Sequence, residues 1–265
     1  MQAALDHGDK RPAKNGRLHV VTYNIHKGFS QLNRRMMVHE LRDRLRAIGP
    51  DILFLQEVQN QHHGHAERHS NWPLQAQSEF LADSVWIDHA YGCNATYDAG
   101  HHGNAILSRY PIVSVENEDI SSHRFEKRGL LHCEIAVPGW QQHLHCVCVH
   151  FALLEGGRRR QLQALALRVA RLVPDGAPLI VAGDFNDWRD TASPVLQSAL
   201  GLNEAFHSFQ GRPARSYPSN LPMFTLDRIY VRGFAVHHAR TLKGRAWSRM
   251  SDHVALSALL EPHPQ

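Results

Sequence analysis

Apolar runs of strand length recur along this chain, and most meet a carboxylate or an amide at one end. Leu18-His19-Val20-Val21-Thr22-Tyr23 runs into Asn24, and Asp51-Ile52-Leu53-Phe54-Leu55 runs into Gln56-Glu57. Leu179-Ile180-Val181-Ala182-Gly183 runs into Asp184, with Asn186 two residues further on. Asp227 opens Asp227-Arg228-Ile229-Tyr230-Val231, and Asp252-His253 stands just before the last apolar run, Val254–Leu260. Runs this apolar suit strands buried on both faces. An ionised carboxylate at the end of such a strand is expensive unless something compensates it. Several such ends gathered at one sheet edge make an oxygen-rich pocket. That suits a hard cation such as Mg²⁺, held by one or two carboxylates plus waters and substrate oxygens. Histidines beside it supply hydrogen bonds or protons to an anionic centre.

The pattern between these ends reads as one domain over residues 17–262, preceded by a polar tail, residues 1–16, expected to be disordered. Strands are predicted at 18–24, 51–58, 104–108, 111–116, 130–137, 143–150, 179–182, 226–231 and 254–260. Pro138-Gly139 is the turn of a hairpin. Helical periodicity covers Asn33–Ile48, with Met37, Leu41, Leu45 and Ile48 on one stripe and Gly49-Pro50 as the stop. It recurs over Arg158–Val173, and a short helix is predicted at Ser78–Ser84. Residues 60–77 and 208–222 read as loops. Strands outnumber helices, and the two long helices each link strands. Two sheets packed face to face with helices outside, or one open doubly wound sheet, both fit this order.

Composition narrows the class. With 43% hydrophobic and 20% charged residues, the chain is neither disordered nor a coiled coil. No apolar run reaches the roughly 18 residues a membrane span needs. The first sixteen residues lack the apolar segment of a secretory signal, so a cytoplasmic location is expected. Cys93, Cys133, Cys146 and Cys148 fit no structural zinc spacing and are expected to be reduced core residues. Lys plus Arg number 29 against 25 Asp plus Glu, a net charge of +4. That balance suits an anionic substrate without demanding one. Much of the positive charge falls in the C-terminal third, in Gly211–Tyr217 and at Arg228, Arg232, Arg240, Lys243, Arg245 and Arg249.

Taken in order, the polar strand ends resemble a known family. TYNIHKG at 22–28, DILFLQEV at 51–58, GNAILSRYPI at 103–112, VHF at 149–151, GDFND at 183–187, LDRIYV at 226–231 and SDH at 251–253 are similar to the motifs of the endonuclease/exonuclease/phosphatase superfamily. Its members include deoxyribonucleases, abasic-site endonucleases, neutral sphingomyelinases and inositol-polyphosphate phosphatases. The resemblance implies a four-layer α/β/β/α sandwich of two packed mixed sheets flanked by helices, and phosphoester hydrolysis dependent on Mg²⁺ or Mn²⁺. It implies Glu57 as the principal metal ligand, with Asn24 and Asp252 close to the metal or its waters. Asp184 would orient and deprotonate the attacking water, and Asn186 would hold that water or a phosphate oxygen. His253 would donate to a phosphate oxygen with Asp227 fixing its tautomer, and His150 would make a second contact.

Around this set, Asn104, Arg128 and Trp188 are candidate substrate-binding residues. Arg suits bidentate phosphate contact, and an exposed Trp suits base stacking. Arg158-Arg159-Arg160 is expected to be mostly a solvated face. His62, His63, His65 and His69 form a weak second metal pattern, on no helix or strand period. The expected substrate is a phosphodiester, either nucleic acid, placed slightly ahead, or the headgroup of an anionic lipid. A soluble phosphomonoester is the alternative. A non-catalytic scaffold is disfavoured because Glu57, Asp184 and His253 are all present. No obligate protein partner is visible.

Overall fold

In the computed structural model, described here for residues 16–31, 35–62, 71–83, 85–97, 100–122 and 126–263, two sheets carry the chain. The strands are β1 (Leu18–Asn24), β2 (Ile52–His62), β3 (Asp88–Tyr97), β4 (Gly100–Ser108), β5 (Ile112–Asp119) and β6 (Gly129–Ile135). They continue as β7 (Leu144–His150), β8 (Leu179–Asp184), β9 (Asn203–Glu204), β10 (Asp227–Arg232), β11 (Phe234–Thr241) and β12 (Leu256–Pro262). The helices are α1 (Val38–Ile48), α2 (Gln77–Ala82), α3 (Glu155–Leu172), α4 (Ala192–Leu200) and α5 (Ala205–Gln210).

One sheet runs β11-β12-β1-β2-β4-β3 and the other β5-β6-β7-β8-β10-β9. Each contains one parallel pair, β1 with β2 and β7 with β8. A parallel pair needs a crossover, and α1 and α3 supply them. The alternating side chains of both sheets meet in a central layer that includes Leu18, Val20, Phe54 and Ile106 on one side and Cys146, Cys148, Ile180 and Ile229 on the other. The opposite face of the first sheet packs Val21, Leu53 and Leu55 against Val38, Leu41 and Leu45 of α1 and Leu81 of α2. The opposite face of the second packs Val147 and Val181 against Leu162, Leu165 and Val169 of α3 and Leu196 of α4. The result is the four-layer α/β/β/α sandwich, not an open sheet.

Several boundaries differ from the sequence reading. Helix α1 starts at Val38 rather than Asn33, because Met36 bridges Phe29 and the Met37 N–H donates to the Gly28 carbonyl; residues 32–34 lie outside the described residues. Its end is as expected, with Gly49 left-handed and its N–H on the Leu45 carbonyl. Strand β2 continues past Glu57 to His62, into the segment read as loop. Helix α3 opens at Glu155, which puts a carboxylate in the first turn and the arginines further in. The last strand starts at Leu256, two residues late. Strands β3 and β11, and α4, β9 and α5, were not anticipated. β3 and β11 are the outer strands of their sheet, and His237, His238 and Arg240 interrupt any apolar alternation in β11. Cys133, Cys146 and Cys148 are buried free thiols, but Cys93 is exposed on β3. Residues 1–15, Ser84 and three of the four histidines of the second metal pattern, His63, His65 and His69, lie outside the described residues. No helix is long and apolar enough to cross a membrane, among the described residues.

Under α3 the second sheet buries two histidines. His132 of β6 and His145 of β7 meet ring to ring, His132 Nε2 to His145 Nδ1 at 3.1 Å. Arg168 of α3 lies nearby and pairs with Glu116 at 2.6 Å and with Glu118, tying the helix to β5. Burial, then His145 and Arg168, push His132 down from 6.5 to about 4, against the pull of Glu134 and Glu116. Burial lowers His145 as well. Below pH 6.5 the unfolded chain takes up protons that the folded chain refuses. This stabilisation is therefore complete above 6.5 and is lost as the pH falls toward about 4. The unfolding midpoint should drop across that window, and His132→Asn should flatten the drop. An unchanged slope in the variant would show that the pair does not govern acid stability.

Candidate active site

The strand register brings most of the chemistry into one row. His150, the last residue of β7, lies opposite Asp184, the last of β8, and Asp184 lies opposite Asp227, the first of β10. In the other sheet Asn24 ends β1 opposite Gln56 of β2. Glu57 follows at a β-bulge, where the β2–β4 register shifts between Leu55 and Val58. Its φ of 58° breaks the strand alternation. Gln56 therefore points into the core, donating to Thr22 Oγ1 and Cys148 Sγ, each at 3.2 Å. Glu57 turns outward to the cleft. A bulge that re-aims one side chain is a common device beside functional sites.

The two halves are joined through polar contacts. Asn24 Nδ2 donates to Asp184 Oδ2 at 3.2 Å and to Glu57 Oε1 at 3.4 Å. Ser251 Oγ donates to the Asn24 carbonyl at 2.7 Å and accepts the His253 N–H at 3.1 Å. Ser219 donates to the Ser251 carbonyl at 2.7 Å. These bonds fix the 251–253 segment over the end of β1. His253 Nδ1 then donates to Asp227 Oδ2 at 2.8 Å, and its Nε2 faces Asp184 Oδ2 at 3.8 Å. His150 Nε2 lies 3.5 Å from the same Asp184 oxygen. Asp184 Oδ1 accepts the Asn186 N–H at 2.9 Å. Asn186, at a φ of 49°, anchors its own amide on the Phe151 carbonyl at 2.9 Å.

Electrostatics follow from burial and charge. Burial pushes the Asp184 carboxyl up, and the His253 cation opposes it. Burial alone would lower His253, but Asp227 and Asp184 outweigh it and hold the ring up to about 10. Burial, with Arg128 and His253 adding to it, keeps His150 well below its ordinary value. One imidazole is thus a cation at neutral pH and the other is neutral.

These groups open into a cleft of about 460 Å³ walled by Asn24, Glu57, Arg128, His150, Asp184, Asn186, Trp188, Asp252 and His253. Asp227 stands behind His253 rather than on the wall. Asn104 is fully buried, gives both amide hydrogens to the Gly129 and Cys148 carbonyls at 3.0 and 3.3 Å, and is not part of the wall. Arg128 spends Nε on the Phe151 carbonyl at 3.1 Å and Nη2 on Glu126 at 3.1 Å. Trp188 is half-exposed with the Arg158 guanidinium over its ring at 4.4 Å. Arg158 is thus buried against Trp188, not solvated. Leu153, Tyr217, Phe224 and Leu226 complete the wall and were not singled out from the sequence. Neither was His26, whose Nδ1 pairs with Asp252 Oδ1 at 3.3 Å. Its place inside the TYNIHKG motif was the available signal.

The sequence model of the endonuclease/exonuclease/phosphatase family matches residues 21–253, from β1 through the whole cleft. The chain belongs to this family. Members of the family are phosphoric ester hydrolases and generally use a divalent metal. The chain is 49% identical over 239 residues to YbhP of Escherichia coli K12, an uncharacterized protein, covering 90% of this chain and 94% of that one. Its fold is similar to that of an endonuclease/exonuclease/phosphatase from Beutenbergia cavernae, with a TM-score of 0.71 and 18% identity over 93% of this chain and 72% of the other. It is likewise similar to TDP2 from Caenorhabditis elegans, with a TM-score of 0.67 and 17% identity over 93% and 98%.

Two donor sets could hold a divalent cation. Asp184, Asp227 and His253 place ligand atoms within 4.8 Å of one another. That set already forms a hydrogen-bonded chain around a protonated imidazole, which repels a cation. Glu57 differs. Its carboxylate faces the cleft with only the Asn24 amide on it and no ion-pair partner among the described residues. Asp252 and further oxygens lie on the same wall. An all-oxygen set with an uncompensated carboxylate fits a hard cation such as Mg²⁺ or Mn²⁺.

The Asp184 position depends on the residue before it. Gly183 has a φ of 148°, and a Cβ there would stand 2.0 Å from the Val149 carbonyl oxygen of the neighbouring strand. Gly183→Ala should therefore cost at least about 2 kcal/mol of stability. Equilibrium denaturation measures this, and a variant as stable as the parent would show that the strands can part there without penalty.

Proposed function

We propose that this protein is a divalent-metal-dependent phosphodiester hydrolase. The observation that supports this most is the convergence on one oxygen. Asp184 Oδ2 lies within 3.8 Å of His253 Nε2, 3.5 Å of His150 Nε2 and 3.2 Å of Asn24 Nδ2. A carboxylate so placed can orient a water and take its proton, because burial raises its basicity while His253 keeps it charged. The Asn186 N–H and the Asn24 amide hold the carboxylate in one orientation. The water oxygen bonds to phosphorus as one P–O ester bond breaks, and the products are a phosphomonoester and an alcohol.

In that reaction His253 places a charged Nε2–H against a non-bridging oxygen, and Asp227 keeps its tautomer and its charge. Neutral His150 donates a second hydrogen bond. Donors aimed at developing charge in a partly closed site carry much of such a rate enhancement. Glu57, with Asn24 and Asp252 beside it, would hold the metal. When bound, the metal neutralises charge on the phosphoryl group and assists the departing oxygen. The diester reading is favoured over a monoester by charge. Arg128 is the one Lys or Arg on the cleft wall among the described residues, and most of its donors are used by the protein. A dianionic monoester calls for a denser cationic clamp. Which diester enters is decided by the surroundings of the cleft, not by its chemistry.

Metal-supplemented protein should turn over bis(p-nitrophenyl) phosphate faster than p-nitrophenyl phosphate. A preference for the monoester would overturn the diester reading. Asp184→Ala and His253→Ala should each lower kcat at least about 10²-fold while remaining folded. Near-parental turnover in both would sink the assignment. Glu57→Gln should shift the Mg²⁺ titration of activity to higher concentration more than any other single wall substitution. An unchanged titration would place the ligand elsewhere.

A further inference from the structure

The cleft opens through a rim that is apolar. Leu153, Trp188 and Phe224 line it and are 59%, 44% and 45% exposed. Their chain neighbours Leu154, Leu221 and Met223 are 74%, 68% and 54% exposed. Three segments present them: the approach to α3, the turn after β8 that carries Trp188, and the loop 216–224. That loop is closed by the Tyr217–Phe224 bridge, with the Met223 and Phe224 N–H groups both on the Tyr217 carbonyl at 2.8 Å. Single exposed apolar residues are ordinary. Six around one opening form a patch, and such patches mark interaction surfaces.

A second groove, of about 750 Å³, lies on the other side of the same loop. Arg212, Arg215, Arg240 and Lys243 line it, and no carboxylate does. Arg215, Pro222 and Thr225 face this groove while Tyr217, Phe224 and Leu226 face the cleft. None of the four cations has an ion-pair partner among the described residues. Two other basic residues of this region, Arg228 and Arg232, behave differently, while Arg245 and Arg249 are exposed. Arg228 is fully buried and bound to the Thr225 and Asp187 carbonyls, and Arg232 donates to Ala177, Leu200 and Pro174 carbonyls. The sequence therefore overstates the available charge, and the structure concentrates four free cations in one place.

We propose that the mouth of the cleft docks on an anionic phospholipid bilayer and presents headgroup phosphodiesters to Asp184. This rests on the phosphodiesterase reading above, with water as the only co-reactant. Water forms a P–O bond as one headgroup ester P–O bond breaks, and the departing oxygen takes up a proton, leaving a phosphomonoester on one fragment and a neutral alcohol on the other. Leu154, Leu221, Met223 and Phe224 enter the boundary between headgroups and acyl chains, while the groove cations meet lipid phosphates. That pairing of apolar tips with adjacent basic charge is how a protein lies on an anionic membrane. A nucleic acid fits the rim less well. Its outer surface is polar and charged, so the non-aromatic Leu153, Leu154, Leu221 and Met223 would gain no partner there. Among the described residues at the cleft, Trp188, Phe224 and Tyr217 have aromatic faces, but the Arg158 guanidinium already stacks over the Trp188 ring and the Tyr217 ring already meets that of His253.

Asp184→Ala protein, which stops turnover, would be sedimented with phosphatidylcholine vesicles with and without phosphatidylglycerol, and mixed in parallel with single-stranded DNA. Binding is expected to the phosphatidylglycerol vesicles and to weaken with salt. Leu221→Ser with Met223→Ser, and separately Arg240→Glu with Lys243→Glu, should each lower binding by about tenfold or more. Both pairs, placed in otherwise unaltered protein, should leave bis(p-nitrophenyl) phosphate turnover unchanged. Absence of vesicle binding overturns the docking proposal, as does DNA binding that depends on Arg240 and Lys243 while vesicles remain unbound. Soluble diester turnover without vesicle binding leaves the hydrolase reading standing. Vesicle binding with every diester inert removes that reading and keeps the surface.

Discussion

The site rests on a charge that the fold has to pay for: the carboxylate of Asp184, buried between two sheets. In apolar surroundings it would simply take up a proton. His253 opposes this by holding a positive charge beside it, and His253 keeps that charge because Asp227, on its other nitrogen at 2.8 Å, and Asp184 itself outweigh its burial. Removing His253 leaves two buried carboxylates without their counter-charge, which is more damaging than never having built the set. Much of the local backbone can be understood as serving this arrangement. Gly183 lets β7 and β8 approach at Asp184, the bulge at Glu57 frees a second carboxylate from the strand pattern, and Ser251 ties the histidine to the end of β1.

The two parallel pairs explain why opposite ends of the chain meet there. β1 and β2 end at Asn24 and near Glu57, and β7 and β8 end at His150 and Asp184. Packing the sheets face to face sets the carboxyl ends of both pairs against one cleft. The helices α1 and α3 cover the outer faces and leave that end open. Chemistry is thereby placed on rigid strand ends, while the loops around it are free to choose the substrate.

The polar strand ends were legible because each interrupts a buried apolar run at an energetic cost, and a cost repeated in order is hard to produce without a purpose. Asn24, Glu57, Asp184, Asn186, Asp252 and His253 were found this way, His150 came only through the family resemblance, and all of these line the cleft. The edge strands β3 and β11 were missed because half of each faces solvent and carries no apolar period. The strand β2 was cut short because a bulge leaves no mark on hydrophobicity; only the backbone reveals the reversal of φ at Glu57. The rim escaped notice for another reason. Leu153, Leu221 and Phe224 are apolar, and a sequence gives no sign of which apolar residues stay outside. The basic residues were equally mixed, since Arg228 and Arg212 differ only in what surrounds them.

Strand β12 pairs with β1, joining Leu260 to Leu18, and Ser251 reaches back to Asn24 across 227 positions of chain. Contacts of such sequence separation form late, since the loop they close must be ordered before it is rewarded. During synthesis β1 waits, with one edge unpaired, until β12 has been made. His253 lies just before β12, so Asp184 lacks its counter-charge until the chain has been made that far. A copy cut short before His253 holds Asp184 without that counter-charge. Closing the first sheet and completing the charge balance of the cleft are then the same event, and the topology itself keeps the two in step.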